Sequence, residues 1–271
     1  MTLFQAFTLG GVQGFTEFLP ISSSAHLVLV PTLLGWRRPS LAFDVLLHVA
    51  SLMAVLVYFR AELGQILMGL RRAGPGRRLL GLLVVATIPA ALTGLLLGKP
   101  LERTFDRPRA VALELMATGL ILLVAEVFAR RRQAGGKEKE DSTTEGLAGV
   151  VKAGSALVIG AAQAVAILPG ISRSGVTIVA GLGTGLSRSQ AARFSFLMAI
   201  PALAGAAVLK LPELPRLDLG PGPLVVGFLA SLISSYLAIG GMIGYLQRRG
   251  LHPFAIYCLV AGPIALYLLM R

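Results

Sequence analysis

Cysteine is almost absent from this chain of 271 residues. Cys258 stands alone in an apolar run, so no internal disulfide can staple the fold, and the thiol is expected to pack as a small hydrophobe. Charge is scarce as well: Asp, Glu, Lys and Arg make up 14% of the sequence against 55% hydrophobic residues, and the mean hydropathy is +0.77. So little charge cannot clothe a water-soluble surface, and several apolar runs are long enough to cross a hydrocarbon core of roughly 30 Å. The chain is therefore expected to be an integral membrane protein of one domain. Acidic residues are the rarer sign, 13 against 25 Lys and Arg. That excess does not point to nucleic acid, because the basic residues are scattered over short loops and no face interleaves them with aromatics. A basic start with a small-residue cleavage site is also missing at the amino end, so no secretory signal is expected.

Charged loops divide what remains. Apolar spans run at about 41–59, 79–98, 110–129, 190–209, 223–246 and 252–270, each close to or beyond the helix length that crosses a bilayer. Two further apolar regions, 2–34 and 147–184, are interrupted in the middle by proline, serine and charge. Proline removes a donor and clashes with the preceding turn. Broken backbone at membrane depth is tolerated only where protein or a wet cavity surrounds it. Both regions are expected to be re-entrant helix–loop–helix hairpins. Each half, 1–132 and 147–271, then holds one hairpin and three spans, and the Lys/Glu-rich stretch 133–146 links them. Three is odd, so the second half must enter the membrane upside down. The expected fold is an all-α inverted repeat of six transmembrane helices and two hairpins, with a site near the midplane where the hairpin tips meet. Of the Lys and Arg residues, nine fall on the side of the termini and fifteen on the linker side. This bias places both termini outside and the linker in the cytoplasm. Trp36 and Tyr58 fall near span ends, as interfacial anchors do.

The two interruptions are related. The first runs Gln13-Gly-Phe-Thr-Glu17-Phe-Leu-Pro-Ile-Ser22-Ser23-Ser24-Ala-His26, and the second Gln163-Ala-Val-Ala-Ile-Leu-Pro-Gly170-Ile-Ser172-Arg173-Ser174-Gly-Val-Thr177. At one offset of 150, Gln13 matches Gln163, Ile21 matches Ile171, Ser22 matches Ser172 and Ser24 matches Ser174. Polar residues at membrane depth are costly, so a duplicated patch of them marks a functional site. The patches divide the chemistry. Gln13 and Glu17 share a helix face, and three hydroxyls and His26 follow, which supplies a nucleophile, a base or metal ligand and a second proton-transfer group. The other patch offers a bend at Gly170 and then Ser172, Arg173 and Ser174. Arginine is the preferred group for bidentate phosphate recognition, and a helix starting near 175 would add free N–H groups to an anion cradle.

Plainer readings compete. A serine in a membrane helix often only bonds back to a carbonyl, and His48 and His252 are expected to be packed or interfacial. A structural bridge between Glu17 and Arg173 is the main rival to a catalytic pair, since an isolated buried ion is costly. Asp44, four residues before His48, is open between support of the site and interfacial solvation. Glu114 and Glu126, near the two ends of one span, are expected to be solvated, and Ser187 with Gln190 to form a capping box. The small-residue run Gly240-Gly241-x-x-Gly244 permits close helix approach within the chain or in a homodimer.

The two patches resemble the signature motifs of the bacterial undecaprenyl-diphosphate phosphatase family, the bacitracin-resistance type. The similarity extends over essentially the whole chain, including the Phe43-Asp44 span. It implies an inner-membrane hydrolase with an outward-facing site, which converts the C55 polyprenyl diphosphate lipid to its monophosphate and so recycles the carrier for peptidoglycan. It also implies help from a divalent cation, Mg²⁺ or Ca²⁺. With Gln13 rather than an acid opening the motif, Glu17 is the one candidate metal ligand, and the diphosphate would hold most of the ion. By this resemblance Ser23 is the leading nucleophile, with His26 itself as the alternative. His26 would take the proton, with Glu17 as metal ligand or orienter, or in the alternative Glu17 would take it. Arg173, with Ser172, Ser174 and backbone N–H groups, would grip the diphosphate, and Gln13, Ser22, Ser24, Gly170 and Thr177 are further binding candidates. The rival of another class is an inverted-repeat transporter or flippase of an anionic polyprenyl lipid, which needs the cation and the helix ends but no nucleophile.

Overall fold

A computed structural model describes residues 1–69, 74–133, 143–210 and 219–271. Most of the segment expected to link the halves, 134–142, lies outside the described residues. Among the described residues there are twelve α-helices, one short 3-10 turn (Arg103–Asp106) and no strand. In chain order the helices are α1 (Leu3–Phe18), α2 (Ser23–Leu33), α3 (Leu41–Tyr58), α4 (Arg60–Gly69), α5 (Pro75–Glu102), α6 (Pro108–Gln133), α7 (Thr144–Val150), α8 (Ala153–Val165), α9 (Arg173–Gly183), α10 (Arg188–Lys210), α11 (Pro221–Leu246) and α12 (His252–Leu268).

Five of these, α3, α5, α6, α10 and α11, are long and apolar enough to cross a membrane, so this is a multi-pass protein. The sixth expected span forms α12, whose 17 residues reach about 26 Å at 1.5 Å per residue. Where a continuous helix was excluded, the chain breaks as the sequence requires. α1 ends at Phe18, just before Pro20, and α2 starts afresh at Ser23. α8 ends at Val165 and α9 starts at Arg173. Upstream of α8, α7 is bent from it by 94°.

Small residues set how these pieces pack. α1 lies so close to α11 that a Cβ on Gly14 would sit 1.9 Å from Ser234 Oγ, and α8 so close to α5 that one on Gly160 would sit 2.3 Å from the Ala86 carbonyl oxygen. The largest buried cluster runs through Phe18, Phe59, Leu122, Phe194, Phe196 and Ile239. Phe18 and Phe196 meet edge to face there, 5.2 Å apart, which locks the end of α1 against α10. On α11, Gly240 faces Tyr58, while a side chain at Gly241 or Gly244 would meet nothing within 4 Å. Ser187 and Gln190 exchange the two bonds of a capping box at the start of α10.

One of the two glutamates of α6 is not solvated as expected. Glu126 is 1% exposed. Its carboxylate accepts from Arg188 at 2.7 Å and from the Leu251 amide at 2.9 Å, with His252 Nδ1 at 3.6 Å. Composition placed it near a helix end, but the starts of α10 and α12 fold over that end and bury it. Removing one partner of such a pair leaves a buried charge uncompensated. Glu126→Ala is expected to destabilise the protein by about 3 to 5 kcal/mol, seen as a lowered unfolding midpoint in detergent.

Candidate active site

The site forms where the break between α1 and α2 touches the break between α8 and α9. One helical turn separates Gln13 from Glu17, so the Gln13 amide donates to Glu17 Oε2 at 3.0 Å. After the break, Ser22 caps α2 by accepting from the Ala25 amide, and it is the one non-glycine described with a positive φ, 66°. That turn brings Ser23, the first residue of α2, back over α1, and its hydroxyl donates to Glu17 Oε2 at 2.6 Å. In the other half Ser172 caps α9 through the Gly175 amide, and Arg173 is the first residue of that helix. Arg173 donates to Glu17 Oε1 at 2.8 Å and reaches the Ser195 carbonyl at 3.4 Å. The first residue of each helix, at the end that favours negative charge, thus reaches one carboxylate with its side chain.

Reciprocal bonds hold the breaks together. Ser22 donates to the Pro169 carbonyl at 2.8 Å, and Ser24 donates to the same oxygen. In return Ser174 donates to the Leu19 carbonyl at 2.9 Å. Thr177 lies behind Arg173, donating to its carbonyl at 2.8 Å and bonding Ser195 Oγ at 2.6 Å. Gly170 is required where it stands: a Cβ there would fall 2.1 Å from Glu114 Cβ.

The whole chain compares with known proteins in the same sense. Residues 6–264 match the family described as bacitracin resistance protein BacA. The chain belongs to that family. It is 42% identical over 282 residues to an undecaprenyl-diphosphatase of Geobacter sulfurreducens, with 100% of both chains covered. One from Moorella thermoacetica is 42% identical over 276 residues, again with 100% of both covered, and one from Pelobacter propionicus is 41% identical with 97% and 95% covered.

Of the residues singled out in this BacA-family chain, Gln13, Glu17, Ser23 and Arg173 form one bonded group, and Ser22, Ser24, Gly170, Ser172, Ser174 and Thr177 form the framework around it. His26 stands apart. It bonds neither Ser23 nor Glu17, and its Nε2 meets the Tyr257 hydroxyl at 2.7 Å. Gln163, the repeat partner of Gln13, is buried with neither amide atom hydrogen-bonded. Asp44 contributes its backbone carbonyl to His48 Nδ1 at 2.7 Å, which leaves His48 Nε2 3.7 Å from Glu17 Oε2. His48 is thus closer to the site than a packed histidine. With Ser24, Asp44, Val45, Phe105 and Lys210 it lines a cavity of about 150 Å³ whose walls are mostly apolar.

The side chains present do not make a cation cage. Among the described residues no three His, Cys, Asp or Glu side chains converge. The Glu17 oxygens already accept from Gln13, Ser23 and Arg173, whereas Mg²⁺ and Ca²⁺ take six or more oxygens. The protein alone therefore does not fit a resident Mg²⁺ or Ca²⁺.

Two residues of α6 shape the Arg173 loop, and neither was expected at the site from the sequence. Glu114 accepts from the Gly170 amide at 2.7 Å. Thr118, one turn on, donates to the Gly170 carbonyl at 3.0 Å and accepts from the Ser172 amide at 3.1 Å. Thr118→Val keeps the shape but strands two buried backbone groups, at about 1–3 kcal/mol each. It is expected to lower both the unfolding midpoint and phosphatase turnover, whereas Thr118→Ser, which retains both bonds, restores them.

Proposed function

We propose that this protein hydrolyses undecaprenyl diphosphate to the monophosphate and inorganic phosphate. Its relatives carry the undecaprenyl-diphosphatase name, and one observation carries the reading to this chain's own residues. A serine hydroxyl lies 2.6 Å from a carboxylate that is itself held 2.8 Å from an arginine of the other half. A bare hydroxyl is a weak nucleophile and needs an adjacent base. Ser23 has one in Glu17, and this favours Ser23 over His26 as the attacking group.

In the resting site Arg173 neutralises Glu17. A diphosphate offers Arg173 a second anion, of higher charge and bidentate geometry. As the guanidinium turns to the phosphoryl oxygens, Glu17 loses part of its compensation and becomes a better base. Ser23 Oγ then attacks the terminal phosphorus, its proton passes to Glu17, and the bridging P–O bond breaks to release the lipid monophosphate. Water next attacks the phosphoserine, the P–O bond to Ser23 breaks as Glu17 returns its proton to the serine oxygen, and inorganic phosphate leaves with the hydrogens of the water. Arg173, the N-termini of α2 and α9, and the serine caps supply positioning and charge stabilisation, which is most of the catalysis in phosphoryl transfer. The mostly apolar cavity beside Ser24 and His48 would take the start of the prenyl chain.

The finer architecture belongs to the same proposal. We read the fold as an inverted repeat with two re-entrant hairpins. In support, Ser24 to Pro169 and Ser174 to Leu19 are one bond repeated at the offset of 150, as are the caps Ser22 to Ala25 and Ser172 to Gly175. The excess of basic residues on the linker side supports an orientation with both termini outside, and the family resemblance supports an inner-membrane protein with the site open outward. There it would recycle the lipid carrier for peptidoglycan and confer bacitracin resistance. A divalent cation, Mg²⁺ or Ca²⁺, would enter on the diphosphate rather than wait in the protein.

The test is phosphate release from a long-chain polyprenyl diphosphate by the purified protein in detergent. Arg173→Ala is expected to lose roughly 10³-fold or more of turnover, and Ser23→Ala to lose turnover with binding of the lipid retained. Variants that are folded and keep more than about a tenth of wild-type activity would refute these roles. With lipid present, a chelator should lower turnover. Without lipid, calorimetry should find cation binding no tighter than about 1 mM, the weak end for oxygen-ligand sites.

A further inference from the structure

His26 carries the clearest unassigned geometry. Its Nδ1 lies 2.7 Å from the Ser22 carbonyl oxygen. A carbonyl only accepts, so Nδ1 bears the hydrogen, and in a neutral ring Nε2 is then the lone-pair nitrogen. The Tyr257 hydroxyl, 2.7 Å from Nε2, donates to it. The two rings lie nearly parallel, 14° apart in plane with centroids at 5.7 Å. The clamp on the other nitrogen is rigid too, because Ser22 is fixed by its φ of 66° and by its bond to Pro169 in the second half. His26 is 9% exposed, whereas Tyr257 is 42% exposed. Tyr257 is therefore the more accessible partner of this bond.

We propose that Tyr257, reaching across from α12, is a positioning residue of this active site. Its hydroxyl donates to Nε2 of an imidazole whose Nδ1–H is bonded to the Ser22 carbonyl, and so fixes the orientation of that ring beside the turn that carries Ser23. This rests on the phosphatase reading and extends it to a residue 231 positions beyond His26 in the chain. A merely structural tyrosine would contribute through its ring, and phenylalanine would replace it.

The experiment is a double-mutant cycle in the full-length protein with Tyr257→Phe and His26→Gln, beside wild type and Ser23→Ala. It reads kcat and KM for a long-chain polyprenyl diphosphate, the unfolding midpoint, and ¹⁵N spectra of labelled histidine. Tyr257→Phe is expected to lower kcat about tenfold, less than the roughly 10²- to 10⁴-fold that a group transferring the proton itself contributes, with KM changed by less than about twofold. The unfolding midpoint should stay in place, and the His26 Nε2 signal should move to that of an unbonded lone-pair nitrogen. In the His26→Gln background the same substitution should cost nothing further. Wild-type kcat in Tyr257→Phe, or an equal loss in both backgrounds, would overturn the role of Tyr257 while leaving the phosphatase intact. Absence of turnover in the wild type would overturn both.

Discussion

Glu17 places a carboxylate where only 7% of the residue meets solvent, and a charge so placed is stable only if donors replace its water. It finds them on both sides of the chain's midpoint: Gln13 and Ser23 from the first half, Arg173 from the second. The two breaks must therefore dock for either charge to be tolerated. The serine-to-carbonyl bonds that staple them satisfy backbone groups that the interrupted helices leave open. Neither half can satisfy its own break. The site and the contact between the halves are one structure.

The same pair shows how a stabilising contact can serve turnover. Were Glu17 and Arg173 joined for stability alone, an apolar pair of similar volume would often do as well. Here the carboxylate also carries the serine at 2.6 Å, and the arginine is the better exposed partner, its side chain 16% accessible against 6%. An incoming phosphate reaches the cation before the carboxylate. On the proposed mechanism, binding and activation of the base become one event, and water meets an unactivated serine when no lipid is bound.

Much of this was legible in the sequence because the signals are local. Pro20, the serine run and the offset-150 matches fixed where the helices break, and the cost of burial singled out Glu17 and Arg173. What stayed hidden depends on contacts between distant segments. Tyr257 lies in an apolar helix with no polar neighbour to mark it. Glu114 and Glu126 looked like residues at the ends of a span, and only the packing of the second half over α6 turns one into an acceptor for Gly170 and the other into a buried partner of Arg188. Thr118 alone had a local hint, one turn from Glu114 on the same face. His48 sat one turn from Asp44, but nothing in the sequence placed Glu17 opposite it.

On the proposed inverted repeat, a symmetric scaffold carrying asymmetric chemistry accounts for the positions at which the two halves differ. Ser23 and Arg173 occupy the same place at the offset of 150, each the first residue of its half-helix. At that position a side chain leaves the helix start toward the facing half, so one copy can supply a nucleophile and the other a cation for the same phosphoryl group. Where the first half carries Glu17 and His26, the second carries Ile167 and Val176. Two carboxylates facing one diphosphate would repel it, and two histidines would each need a clamp such as Tyr257. The caps at Ser22 and Ser172 and the staples at Ser24 and Ser174 carry no charge and shape the backbone, so both copies keep them. Gln163 keeps its amide beside no carboxylate, and its unbonded state marks where the second half kept the polar residue without its partner.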